Sequence, residues 1–188
     1  MSYIPTPEQA YEILKEYNKD DFHLKHGRIV AGVMEYLAKE YDPENTAYWK
    51  TVGMLHDLDF ELYPEEHCIK LQEIMKELDI DESVIHAAAS HGYLLTVDIE
   101  PVRYMEKVLY AVDELTGLIG AVALMRPSKS VSDLEVKSVM KKYKNANFAA
   151  GCSREVINRG AQMMGIELNE LIDKTIHAMR SLMLEMEI

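Results

Sequence analysis

Residues 168–186 read LNELIDKTIHAMRSLMLEM, and the spacing within this stretch decides the class of fold. Leu168, Leu171, Ile172, Ile176, Met179, Leu182, Met183 and Met186 recur in steps of three and four, with Thr175 on the same stripe. That period puts them on one face of a helix about five turns long. The methionines read as gap-fillers packing the helix onto its own core.

Helix-start signals repeat upstream. Thr6-Pro7-Glu8, Asp42-Pro43-Glu44 and Tyr63-Pro64-Glu65-Glu66 each set proline at a first helical position with acidic residues in the first turn. Ser132-Asp133-Leu134-Glu135 has the form of a capping box. These signals predict helices over 7–18, 22–40, 43–57, 64–77, 81–91, 101–120, 132–143, 152–164 and 168–186. The breaks rich in turn residues are 92–100, 126–131 and 144–151, and no alternating β-branched run appears. The expected fold is an all-α, single-domain helical bundle of about eight or nine helices over 1–188.

A chain of 188 residues, 48% hydrophobic and 28% charged, can bury a core without disulfides or a structural metal. Its two cysteines, Cys68 and Cys152, show no CxxC spacing. The N-terminus has neither a basic nor an apolar leader, and no run reaches the roughly 18 apolar residues of a membrane span, so a cytoplasmic location and no membrane partner are expected. A net charge of −12 argues against general nucleic-acid binding. The charge is uneven: between Arg126 and Gly160 eight basic residues face three acidic ones. That segment reads either as a solvated face or as a local wall for anions, with Arg126, Lys129 and Arg154 as candidate phosphate holders.

Seven histidines are present. The most telling is in Leu55-His56-Asp57, which closes the apolar run Val52-Gly53-Met54-Leu55. Adjacent imidazole and carboxylate at the end of a buried helix are costly unless compensated, and a divalent cation compensates both. Upstream, His26 opens His26-Gly-Arg-Ile-Val-Ala31. Downstream, Asp113 lies within the apolar helix Tyr110-Ala-Val-Asp113-Glu-Leu-Thr116, where a carboxylate calls for a positive partner. Asp57-x-Asp59-x-Glu61 imitates an EF-hand start, but Leu62 and Cys68 stand where that loop needs Gly and Glu.

His26, His56-Asp57 and Asp113, in that order on successive helices, resemble the HD-domain superfamily of metal-dependent phosphohydrolases, over roughly residues 22–120. The texture of Asp57-Leu-Asp-Phe-Glu61, Ser90-His-Gly-Tyr93 and Arg126-Pro-Ser-Lys129 is similar to small prokaryotic members of that superfamily. The resemblance implies that His26, His56, Asp57 and Asp113 hold one metal, with helices over 132–188 packed on that core. Some members bind a second ion through two further histidines, and His67 and His91 fall in the right interval, Asp57 then bridging. His86 is the rival of His91; five residues apart on a helix, the two point about 140° apart.

The implied cofactor is one or two divalent ions, with Mn, Fe, Co, Ni, Zn and Mg all open. The implied reaction is hydrolysis of a small phosphorylated substrate, a phosphomonoester or phosphodiester such as a nucleotide, by a metal-activated water whose pKa falls from about 15.7 to near 7. Asp59 and Glu61 are candidate helpers, relaying a proton or orienting a ligand histidine. Two other readings stand beside it: a non-catalytic metal- or nucleotide-binding regulatory module, and a di-iron oxygenase on the same fold. His23 reads as an outer neighbour of His26, and His177 as structural.

Overall fold

Thr6 begins the first helix by a reciprocal cap: its Oγ1 accepts from the Gln9 N–H at 3.2 Å, and the Gln9 side chain accepts from the Thr6 N–H at 2.9 Å. The computed structural model describes residues 1–188, and the chain is all-α. Its helices are α1 (Pro7–Tyr17), α2 (Asp21–Tyr41), α3 (Thr46–Leu55), α4 (Ile69–Glu77), α5 (Glu82–Ala89), α6 (Tyr104–Leu124), α7 (Val136–Tyr143), α8 (Arg154–Met164), α9 (Leu168–Ser181) and α10 (Met183–Met186), with short 3-10 turns between them. None is long and apolar enough to cross a membrane.

The chain divides into two compact units, Met1–Leu109 and Tyr110–Ile188, with the boundary inside α6. In the first unit, Ile13 and Leu14 of α1, Val30, Met34 and Leu37 of α2, and Trp49, Val52 and Leu55 of α3 are buried. Gly53 lets α3 approach α2 closely. A Cβ there would lie 2.9 Å from the Ala31 Cα. In the second unit Leu115, Leu118, Val139, Ile157, Leu171 and Ile176 are buried. There Gly160 of α8 plays the same part, its missing Cβ leaving space 2.4 Å from the Ala111 Cα.

Three local expectations are corrected. Proline starts 3-10 turns at Pro43–Asn45 and Pro64–Glu66, and the α-helices follow at Thr46 and Ile69. Ser132 is not the cap of α7: Ser130 takes the Ser132 N–H, and Glu135 precedes α7 with no side-chain cap. The last stripe bends at Leu182, so α9 and α10 replace one continuous helix.

Glu106 ties the first unit together from a buried position. Its Oε2 accepts from the Val102 and Arg103 N–H groups at 2.7 and 3.2 Å, and its Oε1 from Arg103 Nε at 2.9 Å and His86 Nδ1 at 3.0 Å. Burial disfavours its charge, but the Val102 amide, Arg103 and His86 outweigh burial and lower its pKa below 4.5. A carboxyl depressed in the folded state adds stability that is complete above its ordinary pKa and lost as pH falls through the folded value. Glu106→Gln is therefore expected to cost about 1–3 kcal/mol at pH 7. In urea melts the gap from the unsubstituted protein should narrow as pH drops below 4.5.

Candidate metal centre

Four imidazoles of the first unit point their Nε2 atoms at one carboxylate. His26 comes from α2, and His56 from the residue that ends α3. Asp57 follows in the run of turns over 56–62. His67 stands just before α4, and His91 lies in the 3-10 turn Ser90–Gly92 after α5. Asp57 Oδ2 lies 3.4 Å from His26 Nε2 and 3.3 Å from His56 Nε2. Its other oxygen, Oδ1, lies 3.3 Å from His67 Nε2 and 3.2 Å from His91 Nε2. Within each pair the facing Nε2 atoms are 3.2 Å apart (His26 and His56) and 3.0 Å apart (His67 and His91).

The opposite ring nitrogens explain why these contacts are not ordinary hydrogen bonds. His56 Nδ1 donates to the Gly53 carbonyl at 2.7 Å, and His91 Nδ1 to the Ala88 carbonyl at 2.5 Å. His67 Nδ1 donates to Asp59 Oδ1 at 2.7 Å. A carbonyl offers no proton, so in a neutral ring it fixes the hydrogen on Nδ1 and leaves a lone pair on Nε2. Neutral His67 and His91 then oppose lone pair to lone pair, beside an anionic oxygen. A cation resolves that conflict. Ligands at bond lengths of about 2.0–2.1 Å from one ion stand about 3.0–3.4 Å from each other, the spacing seen here. His67, Cys68 and His91 together, and His26, His56 and Asp57 together, could each hold a metal ion.

In the absence of a metal the same pocket attracts protons. Burial opposes the charged form of His67, yet Asp57, Asp59 and Cys68 raise its pKa to about 11. His91 is held well above its ordinary value, Cys68 and Asp57 overcoming its burial. Asp57 is lowered well below the usual carboxylate range: burial is outweighed by His56, His26 and His67. Burial likewise opposes the Cys68 thiolate, but His91 and His67 bring its pKa down to about 6.

Asp59 is fully buried and orients the pocket. While Oδ1 holds His67, Oδ2 accepts from the Cys68 and Leu71 N–H groups at 2.8 and 2.9 Å. One carboxyl thus sets both the His67 ring and the start of α4. Of its two expected roles, the geometry matches the orienting one. Asp59→Asn has to turn its NH₂ toward either His67 or the two amides, breaking one side. The expected result is a metal affinity lower by about 10–100-fold, read by competition with a chromogenic chelator.

Glu61 and His86 have other duties. Glu61 accepts from the Lys19 and Asp20 N–H groups at 3.0–3.1 Å, a backbone duty at the entrance to α2. His86 pairs with Glu106, so the choice between it and His91 falls to His91. Asp113 belongs to the second unit, half-buried on α6. Also in that unit, Arg126 Nη2 pairs with Asp133 at 3.0 Å, and Lys129 is exposed in the left-handed region at φ 50°. Arg154 donates to the carbonyls of Lys142, Tyr143, Asn145, Phe148, Ala149 and Cys152. That guanidinium organises the 142–152 segment, and its donors are engaged by the chain itself. His177, on the exposed side of α9, donates to the Asp173 carbonyl. Cys68, with Sγ 3.9 and 4.0 Å from the two ring nitrogens of His91, was not anticipated beside the site.

Comparison with protein-family models, with curated proteins and with solved structures gives no match to this chain.

Proposed function

We propose that this protein is a divalent-metal-dependent phosphohydrolase of the HD kind, with Asp57 bridging two ion positions. The observation that carries the reading is the division of labour within Asp57: one oxygen faces His26 and His56, the other faces His67 and His91. A centre of this kind supplies Lewis acidity, lowering the pKa of water and neutralising charge on phosphoryl oxygens.

The chain's own residues supply the preorganisation. The Gly53 and Ala88 carbonyls and Asp59 hold three rings in one tautomer, so the Nε2 donors need no rearrangement before use. Burial of His56, Asp59 and His91 keeps the cluster dry on its inner side. Asp57, with its side chain 21% exposed, and His26, 20% exposed, form the side open to a solute. The histidine nitrogens and the Asp57 oxygens, with the Cys68 thiol beside His91, suit Mn, Fe, Co, Ni or Zn better than Mg, which prefers nearly all-oxygen shells.

The test is elemental analysis of the purified protein, then a panel of phosphomonoesters and phosphodiesters with each metal restored to chelator-treated protein. The expected result is close to two ions per chain and metal-dependent release of phosphate or of one ester arm. A protein that binds metal and nucleotide without turnover supports the regulatory-module reading instead, and turnover that requires dioxygen supports the oxygenase reading.

A further inference from the structure

A row of rings runs from the candidate centre into solvent. The Phe60 ring meets His67 edge to face, with centroids 5.0 Å apart at 82°. His23 lies 5.6 Å from Phe60 at 57°, and Phe22 lies 5.6 Å from His23 at 80°. Phe22 is 73% exposed and Phe60 38%, although aromatic surface of this size gains most from being buried.

The row is braced. Glu61, next to Phe60, accepts from the amides of Lys19 and Asp20, the latter two residues before Phe22. Asp20 in turn caps α2 by accepting from the Phe22 N–H at 2.8 Å. Glu61 and Asp20 thus clamp the turn that carries Phe60 to the helix end that carries Phe22 and His23. Mere surface aromatics need no such clamp, whereas a platform that positions a bound ring does.

We propose that Phe22, His23 and Phe60 form a stacking subsite for a planar aromatic group on the alcohol side of the phosphate ester. The preferred substrates are then nucleoside or aryl phosphates over sugar and glycerol phosphates. This rests on the phosphohydrolase reading for the position of the phosphate at Asp57. Phe60 touches His67, and His67 Nε2 faces Asp57, so the row starts beside the place where the phosphate would be held. Stacking tolerates any flat π-system, so the row selects for an aromatic group without naming a base.

The experiment measures affinity by calorimetry, and turnover separately, on the metal-restored protein with matched pairs. Adenosine 5′-monophosphate is set against ribose 5-phosphate, and 4-nitrophenyl phosphate against glycerol 2-phosphate. The expected result is tighter binding of at least one aromatic member by about tenfold or more. The pair showing the larger ratio tells a nucleoside subsite from an aryl one. Phe60→Leu and the exposed Phe22→Ala should each shrink the ratio, and Phe60→Tyr should keep it. Equal affinities within both pairs, or a ratio untouched by Phe60→Leu and Phe22→Ala combined, overturn the proposal. Aromatic preference without turnover leaves it standing and removes the hydrolase reading; turnover with no aromatic preference does the reverse. Failure of every ester to bind overturns both.

Discussion

Asp57→Ala should strip bound metal to background and lower turnover of any accepted ester by roughly a thousandfold or more, well beyond the 10–100-fold expected for an outer partner such as Asp59. Asp57 presents one oxygen to each histidine pair. Its removal takes away the oxygens that the two imidazole pairs face. The helical circular-dichroism signal should survive, because the Asp57 side chain is partly exposed and the core of the first unit is built from apolar side chains. Asp57→Asn separates the two positions. An amide offers one carbonyl oxygen and turns its NH₂ to the other pair, so about one ion per chain is expected from elemental analysis, with turnover still lost.

Gly53→Ala should damage the fold and the candidate centre together. Glycine to alanine in a helix interior ordinarily gains about 1 kcal/mol. Here the new Cβ meets the Ala31 Cα at 2.9 Å, the Ala31 nitrogen at 3.1 Å and the Met34 Cγ at 3.1 Å. Two of these are backbone atoms of α2, which yield only if the helices separate. Overpacking of this kind costs about 2–3 kcal/mol net, a fall in thermal midpoint of roughly 10 °C. The Gly53 carbonyl also accepts from His56 Nδ1, so the displaced α3 carries that ring off its target. A melt and a metal titration on the same variant should therefore fail together. An unchanged midpoint would show that the two helices can part without cost.

Which parts of this were legible in the residues follows from where the information is stored. Helical periodicity is local, so the helices appeared within a few residues of their expected bounds. The His56-Asp57 pair was legible because burying it needs a compensating cation. The break before α4 was not: His67 is extended at ψ 139° and Cys68 left-handed at φ 67°, although Pro64-Glu65-Glu66 looks like an ordinary helix start. Cys68 lacks the glycine that normally marks such a conformation, and the constraint that holds it comes from Asp59, nine residues away. Likewise, nothing in the type of Arg154 says that its donors go to carbonyls. An arginine fits a phosphate and a ring of backbone oxygens equally well, and only the path of the 142–152 segment decides between them. The clamp made by Glu61 joins residues about forty positions apart, which no local pattern reveals.

The central claim is that one aspartate spans two cations, and anomalous diffraction at the manganese edge from Mn²⁺-soaked crystals tests it most directly. Two peaks are expected about 3.5–4 Å apart, one beside Oδ2 of Asp57 with His26 and His56, the other beside Oδ1 with His67 and His91. A single peak, or peaks away from Asp57, would contradict the account.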